Sequence, residues 1–385
     1  MADGILIFTG FVGGYGGAIK ASRTYNALLE CGEDPILVTE SSYVPKLNKF
    51  GLIPNLIIDK GSSVCDSHKK TKQILDDINY KTMVSFGPRT FGPRHAVENK
   101  KKVVIVDGGL PPVLGELNTD HEKEIYSQTN LYALTCHFPW KIEKDIVKKY
   151  SDISFEVLSQ PLDAKTEEQF NNLIGDNSDL VRKTKERFSL GNKKSILVQI
   201  GYSLFNEMNL ESNGGWLKLH EYLQANEFIS NLLKSLQHSE EHPLVLLDKK
   251  VFSKYGDIIS ESKIDVVALG NLPNIESMAL SKAVSLNVSR AMRSVTQFQL
   301  SAIGGYGVVS PCPTNYMYED VSTKAAEKLG MIRSFPFDMN EIGSFLLDYI
   351  DSEHYHSTRE RRLKSWEAMH SDYNLLERIL EIHRK

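Results

Sequence analysis

Short, dense apolar runs alternate with longer amphipathic stretches through the first part of this chain. Ile5–Thr9, Pro35–Thr39, Thr82–Phe86, Val103–Val106 and Leu131–Thr135 are too short for helices and read as strands, with a further short strand at Leu56–Asp59. Between them, Ala18–Glu30, Tyr43–Phe50 and Ser67–Ile78 read as helices, the last carrying Ile74, Leu75 and Ile78 on one face. Such alternation predicts a parallel sheet with helices on both faces. The pattern pauses over Ser159–Lys194, a polar stretch that reads as a linker plus a surface helix, and then restarts. Ser195–Ile200, Leu244–Leu247, Asp265–Leu269, Val284–Val288 and Gly307–Ser310 read as strands. Leu223–Gln237, Ile275–Leu280 and Val295–Ile303 read as helices. Ser352–Lys385 reads as one long charged helical region, with Trp366, Met369, Tyr373, Leu376, Ile379 and Leu380 close to helical spacing.

The restart predicts two α/β domains, residues 1–160 and 161–352, and the 385 residues are enough for both. A net charge of −4 argues against a dedicated nucleic-acid binder. The basic runs Lys100–Lys102 and Arg359–Lys364 read as solvated surface. Cys31, Cys65, Cys136 and Cys312 are widely spaced, which predicts neither a disulfide framework nor a zinc site. With no signal-like start and no apolar run of membrane-spanning length, the expected compartment is the cytoplasm. Oligomeric state is not legible.

Candidate chemistry gathers where predicted strands end. After Thr9 the chain runs Gly10-Phe11-Val12-Gly13-Gly14-Tyr15-Gly16-Gly17 into a helix. Glycines remove side chains where a ligand or another backbone comes close, and free N–H groups at a helix start can hold an anion or a sugar hydroxyl. The spacing does not match G-x-G-x-x-G, and Glu40 is the nearest acidic residue to a ribose-binding place. A strand–helix packing turn without a ligand is the alternative reading. Asp107 and His137 also follow predicted strands, with His95 a weaker candidate of the same kind. Arg89 and Arg94 lie in the Gly/Pro-braced stretch Gly87–Arg94, read as a basic loop at a strand end that would take an anionic acceptor, or as a rigid surface turn.

In the second half, Leu269-Gly270-Asn271-Leu272-Pro273-Asn274-Ile275-Glu276-Ser277-Met278 is followed by Ala283–Arg290, by Gln299–Gly304 and by Val308-Val309-Ser310-Pro311-Cys312-Pro313. This block resembles the donor half of GT-B-fold glycosyltransferases, in the branch that holds the lipid II N-acetylglucosaminyltransferase and the UDP-glycosyltransferases. The Gly13-Gly14 loop looks like that family's acceptor-side loop. The resemblance implies two Rossmann-like domains facing a cleft, with residues 353–385 forming a C-terminal helix that crosses back to the first domain, Trp366 and Tyr373 anchoring it. It implies a nucleotide-sugar donor, UDP-linked, as co-substrate and no separate cofactor. The chain departs from the pattern at two places: Tyr15 stands where a His commonly follows the glycine pair, and Gln299 where a Glu commonly binds the ribose.

On this resemblance the donor would be held by Gly13, Gly14, Gly201, Tyr202, Ser203, Ser289, Arg290, Arg293, Ser294, Gln299 and Asn315. Gln297 is a second ribose candidate. Arginine suits a diphosphate leaving group because its planar fork matches the phosphate oxygens. Glu319 and Asp320 would face the sugar, and Arg89 and Arg94 the acceptor. Asp107, His137 and Tyr15 are the catalytic candidates, Asp107 or His137 taking the acceptor proton. Tyr15 is suited to orienting the acceptor rather than to acting as a base. No convincing D-x-D pair is present, so metal-independent displacement onto a small-molecule or envelope-precursor acceptor is expected. The departures keep a second reading open, a GT-B enzyme of altered chemistry such as a nucleotide-sugar hydrolase or epimerase. A non-catalytic nucleotide- or sugar-binding protein is the third.

Overall fold

The computed structural model describes residues 4–9, 15–59, 61, 64–86, 91–107, 120–134, 153–158, 164–174, 178–199, 215–262, 264–270, 272, 274–289, 303–310, 327–328, 330–336, 338–357, 364 and 374–385. It divides into two compact units. The first comprises residues 1–168 together with 368–385, and the second residues 169–367.

The first unit is built on seven parallel strands: β1 (Gly4–Thr9), β2 (Ile36–Glu40), β3 (Leu56–Ile58), β4 (Tyr80–Phe86), β5 (Lys102–Asp107), β6 (Leu131–Leu134) and β7 (Phe155–Val157). Their order across the sheet is β3-β2-β1-β4-β5-β6-β7. The central strands are apolar at nearly every position because both faces of the sheet are covered. Ile5 and Ile7 of β1, with Val84, Val104 and Val106, face α1 (Tyr15–Glu30) and the C-terminal helix, whose Leu375, Ile379, Leu380 and Ile382 join the same core. Phe8 lies on the opposite face, against α4 (Phe91–Glu98). The connecting helices α2 (Val44–Asn48), α3 (Val64–Asp76) and α5 (Asp120–Ser127) complete the unit's described elements before α6 (Ala164–Ile174), in which the division between units falls.

The second unit has six parallel strands: β8 (Ser195–Gln199), β9 (Leu244–Asp248), β10 (Asp265–Leu269), β11 (Leu286–Ser289), β12 (Tyr306–Ser310) and β13 (Arg333–Pro336). They lie in the order β10-β9-β8-β11-β12-β13. Its described helices include α7 (Asp179–Arg187), α8 (Gly215–Leu236), α9 (Lys249–Lys254), α10 (Gly256–Glu261), α11 (Asn274–Ala283) and α12 (Ile342–Asp351). One core joins Phe228, Ile229, Leu232 and Leu233 of α8 to Ile196, Val245 and Val288 of the sheet and to Leu346 and Ile350 of α12. The polar stretch read as a linker with one surface helix holds two helices, α6 and α7. Val181 is the buried apolar anchor of α7, while Lys185 and Arg187 give it the polar look that hid it.

The C-terminal region is not one described helix. Residues 353–357 are helical, and α13 runs over Leu375–Arg384. Asn374 caps α13, its side-chain oxygen accepting from the Leu376 N–H. Within the first unit, Arg378 forks onto Glu156 of β7, its Nε donating at 2.8 Å to one carboxylate oxygen and an NH2 group to the other. Lys102 Nζ donates to the Ile382 carbonyl at 2.8 Å, and His383 Nδ1 lies 3.0 Å from Thr82 Oγ1. The predicted anchors Trp366 and Tyr373 lie outside the described residues.

Candidate functional site

In an open parallel sheet, ligands gather beyond the carboxyl ends of the strands, where the order reverses. The reversal falls between β1 and β4 in the first unit and between β8 and β11 in the second. Each unit therefore presents its own switch point, and the described strand ends there define the frame of the site.

In the first unit β1 ends at Thr9, whose hydroxyl donates to Thr39 Oγ1 of β2 at 2.7 Å, both fully buried. Glu40 follows at the end of β2 and is also fully buried, so its carboxylate is part of the interior. The chain then turns through Ser41–Tyr43 into α2, which places the Tyr43 ring over the start of α1. The Tyr43 hydroxyl accepts from the Ala18 N–H, and burial pushes its pKa up to about 12. A Cβ at Gly17 would lie 2.5 Å from that oxygen. Gly17 is thus explained by a tyrosine of the same domain, the packing alternative that the sequence left open for the glycine turn.

β4 ends at Phe86, in register with Thr9. The stretch read as a basic loop turns helical at Phe91, and Arg94 is a helical residue. Gly92 makes this possible, because a Cβ there would lie 2.8 Å from the Phe8 ring of β1. Arg94 Nε donates to Glu98 one turn on at 2.8 Å, and the guanidinium holds the Glu98 carboxyl below the usual carboxylate range. His95 points away from the strand ends. It is buried, with Nε2 2.7 Å from Asp76 Oδ1 and Nδ1 3.4 Å from the Tyr80 hydroxyl at the opposite end of β4. His68, missed in the sequence, stacks on Phe91 with ring centroids 4.1 Å apart. Desolvation first, then Arg94, lower its pKa, which favours the neutral ring. Nothing in its spacing on α3 marked it, since only the fold brings α3 beside α4.

Asp107 is the last residue of β5, level with Leu134 of β6. Tyr15 is the first residue of α1. In the second unit, Ser289 ends β11 and is level with Gln199 at the end of β8 and Val308 of β12. It is 1 % exposed. Asp248 at the end of β9 accepts from the Lys250 N–H at 2.8 Å and serves as the N-cap of α9. Among the described residues no three His, Cys, Asp or Glu side chains gather as a metal site would require. Gly13, Gly14, Arg89, His137, Gly201, Tyr202, Ser203, Arg290, Arg293, Ser294, Gln297, Gln299, Asn315, Glu319 and Asp320 lie outside the described residues.

β11 is held from behind by Asn287. This fully buried amide donates to the Ser281 carbonyl at 2.7 Å and the Gly305 carbonyl at 3.0 Å, while its own N–H donates to the Gly305 carbonyl at 2.8 Å. Ser281 lies in the last turn of α11, so the amide satisfies a carbonyl that the helix leaves open. A Cβ at Gly304 would come 2.5 Å from the same Ser281 oxygen.

Two parallel, doubly wound domains in one chain are the plan of the GT-B fold, and this chain has that fold. No protein-family model matches the sequence, and no curated protein matches it. Solved structures do. A UDP-GlcNAc 2-epimerase from Neisseria meningitidis, bound to UDP-GlcNAc, superposes with a TM-score of 0.64 at 14% identity, over 98% of each chain. The glycotransferase of kitacinnamycin superposes with a TM-score of 0.63 at 10% identity, again over 98% of each chain. MurG from Acinetobacter baumannii gives 0.58 at 11% identity, over 99% of each. Both a transferase and an epimerase thus share the whole chain's architecture.

Proposed function

We propose that this protein is an enzyme acting on a nucleotide-activated sugar, and that it transfers the glycosyl group to a small-molecule or envelope-precursor acceptor without a metal ion. The observation that carries the reading is the end-to-end match of the chain, over 98–99% of its length, to solved glycosyltransferases and to an epimerase bound to UDP-GlcNAc. UDP is accordingly the first nucleotide to test. Ser289 and Gln199, level at the second unit's switch point, support placing the donor there.

In the proposed reaction an acceptor hydroxyl attacks the anomeric carbon, the bond from that carbon to the diphosphate oxygen breaks, and the nucleoside diphosphate departs. Asp107, at a strand end in the first unit, takes the hydroxyl proton, with His137 as the other candidate base and Tyr15 orienting the acceptor. Arg290 and Arg293, following β11, would neutralise the charge that develops on the diphosphate. Gly13, Gly14, Gly201, Tyr202, Ser203, Ser294, Gln299 and Asn315 complete the proposed donor contacts. Arg89, Arg94, Glu319 and Asp320 complete those to acceptor and sugar.

A second reading, epimerisation or hydrolysis of the nucleotide sugar, is favoured by the epimerase matches and by Tyr15 and Gln299 standing where transferases of the resembled branch carry His and Glu. The deciding experiment incubates the protein with UDP-GlcNAc, without and then with candidate acceptors, and follows the sugar by NMR. Acceptor-dependent release of UDP supports transfer. An epimer or free sugar formed without acceptor moves the reading to the second class. Failure of UDP and every other nucleotide tested to raise the melting temperature would overturn both.

A further inference from the structure

The geometry points to Tyr43 as a positioning residue of the first unit's ligand edge: its hydroxyl latches the end of β2 to the first turn of α1, and so fixes Tyr15 and the helix start that faces the substrate. This rests on the proposed nucleotide-sugar chemistry for its functional consequence, but not for the latch itself.

Three observations converge on it. First, the hydroxyl accepts from the Ala18 N–H, so one bond joins a β2 extension to the helix that follows β1. Second, Gly17 leaves open the space that the hydroxyl occupies. A Cβ at that position would lie 2.5 Å from Oη but 3.7 Å from Cζ, so the oxygen alone makes the position intolerant. Third, Tyr43 is 5% exposed and its ring belongs to the same core as Ala18 and Ala21 of α1, so the hydroxyl cannot swing aside without moving the core. The sequence stretch around Tyr43 bears no motif. Its pairing with Gly17 is visible only once β2 is laid beside β1. Because α1 is a continuous helix from Tyr15, the latch two and three residues further on sets the direction of the turn that carries Tyr15.

The experiment compares Tyr43→Phe, Gly17→Ala and the double variant in the full chain. The control is Tyr80→Phe, which removes another buried hydroxyl of the same unit from the opposite end of β4. The readouts are UDP-GlcNAc turnover, the thermal shift with UDP, and hydrogen exchange of the α1 amides. Tyr43→Phe is expected to lower kcat about tenfold or more, as misplacement of a site element does. KM and the UDP shift should stay near wild type, while first-turn α1 amides exchange faster. Gly17→Ala should do the same. The double variant should be no worse than Tyr43→Phe alone, because the phenylalanine ring leaves ordinary contact distance for the new methyl group.

Unchanged α1 exchange in Tyr43→Phe would overturn the latch, as would single-variant effects that multiply in the double variant. A fall in kcat equal to that of Tyr80→Phe, or parallel losses of turnover and UDP shift, would overturn the positioning role. If the wild-type protein neither binds UDP nor turns over UDP-GlcNAc, the functional reading and the positioning role fail together, while the exchange data still decide the latch.

Discussion

Replacing Asn287 by aspartate exchanges one NH2 group for an oxygen and so tests whether the amide holds β11 in place. In the wild type Nδ2 donates to two carbonyls, at 2.7 Å and 3.0 Å, in a fully buried position. Each bond contributes about 1 kcal/mol net, and leaving a buried carbonyl unsatisfied adds about 1–3 kcal/mol. The Gly305 oxygen keeps the Asn287 N–H as a donor, and the protonated carboxyl still has one O–H to donate to the Ser281 oxygen, which is orphaned only when the carboxyl ionises or in a leucine variant. The neutral loss is therefore about 1 kcal/mol, one bond, in the aspartate variant, and about 3–5 kcal/mol in the leucine variant, which loses both bonds and orphans the Ser281 oxygen. Ionisation adds to the aspartate variant's loss, because a carboxylate would face two carbonyl oxygens, one of them that of Ser281 in the last turn of α11, at the negative end of the helix dipole. The carboxyl's pKa in the folded variant must then rise above its unfolded value of about 3.9. The sign follows. Below that unfolded value both states are protonated and only the neutral loss remains. Between the unfolded and folded pKa values the variant loses about 1.4 kcal/mol more per pH unit, and above the folded value the loss is constant. Urea denaturation of Asn287→Asp and Asn287→Leu, each at several pH values from 4 to about 8, separates the two contributions. The leucine variant should show the loss of the bonds with no pH dependence beyond that of the wild type. A stability difference between the two variants that stays flat across this range would refute the reasoning, as would an aspartate variant as stable as the wild type.

Gly304→Ala should destabilise the second unit by about 1–3 kcal/mol, because the methyl group meets the Ser281 backbone oxygen rather than a side chain that can turn away; chemical denaturation gives the value. Gly92→Ala should act similarly in the first unit by pressing on Phe8, and a Phe8→Leu background should relieve part of the loss in a double-variant cycle. Arg378→Ala should weaken the hold of α13 on β7 by about 1 kcal/mol, the figure reduced because both partners are about a third exposed. Limited proteolysis near Asn374 should then quicken, with the β1–β5 core still protected. On alkaline titration at 295 nm, Tyr43, Tyr80 and Tyr255 should ionise after the ordinary tyrosines. Burial holds all three above the usual phenol value, so the unfolded state deprotonates first and stability falls as the pH rises past about 10. Full ionisation of every tyrosine before any loss of helix signal would contradict that burial.

The sheets were legible because parallel strands covered on both faces leave an unmistakable trace. Val103–Val106 and Ile5–Phe8 have no polar position to blur, and both appear where the sequence placed them. Helix starts were less legible. α8 begins at Gly215 rather than Leu223, and α4 was read as loop because Gly87, Pro88, Gly92 and Pro93 look like turn formers. Pro93 nevertheless falls in the first turn of α4, where a missing N–H costs nothing, and Gly92 is required by Phe8 from another strand. β13 and α12 went unread for the opposite reason: the strand is only four residues long, and its burial comes from Phe335 packing on Phe345 and Tyr349 of α12, partners that no local window links to it.

The site divides along the same line. Strand-end residues such as Asp107 and Ser289 could be located from the sequence, because a strand's end is a local property. Residues whose meaning depends on a neighbour could not. His95 reads like a strand-end base but is spent on Asp76 and Tyr80. Gly17 shows the difference most sharply. A glycine in a strand–turn–helix invites a phosphate or a sugar by sequence rule, yet here the atom that needs the space is the hydroxyl of Tyr43. The glycine turn therefore cannot be scored as one ligand-binding unit. Each of its glycines has to be tested singly, and Gly17→Ala with and without the Tyr43 hydroxyl is the pair of variants that separates packing from substrate contact.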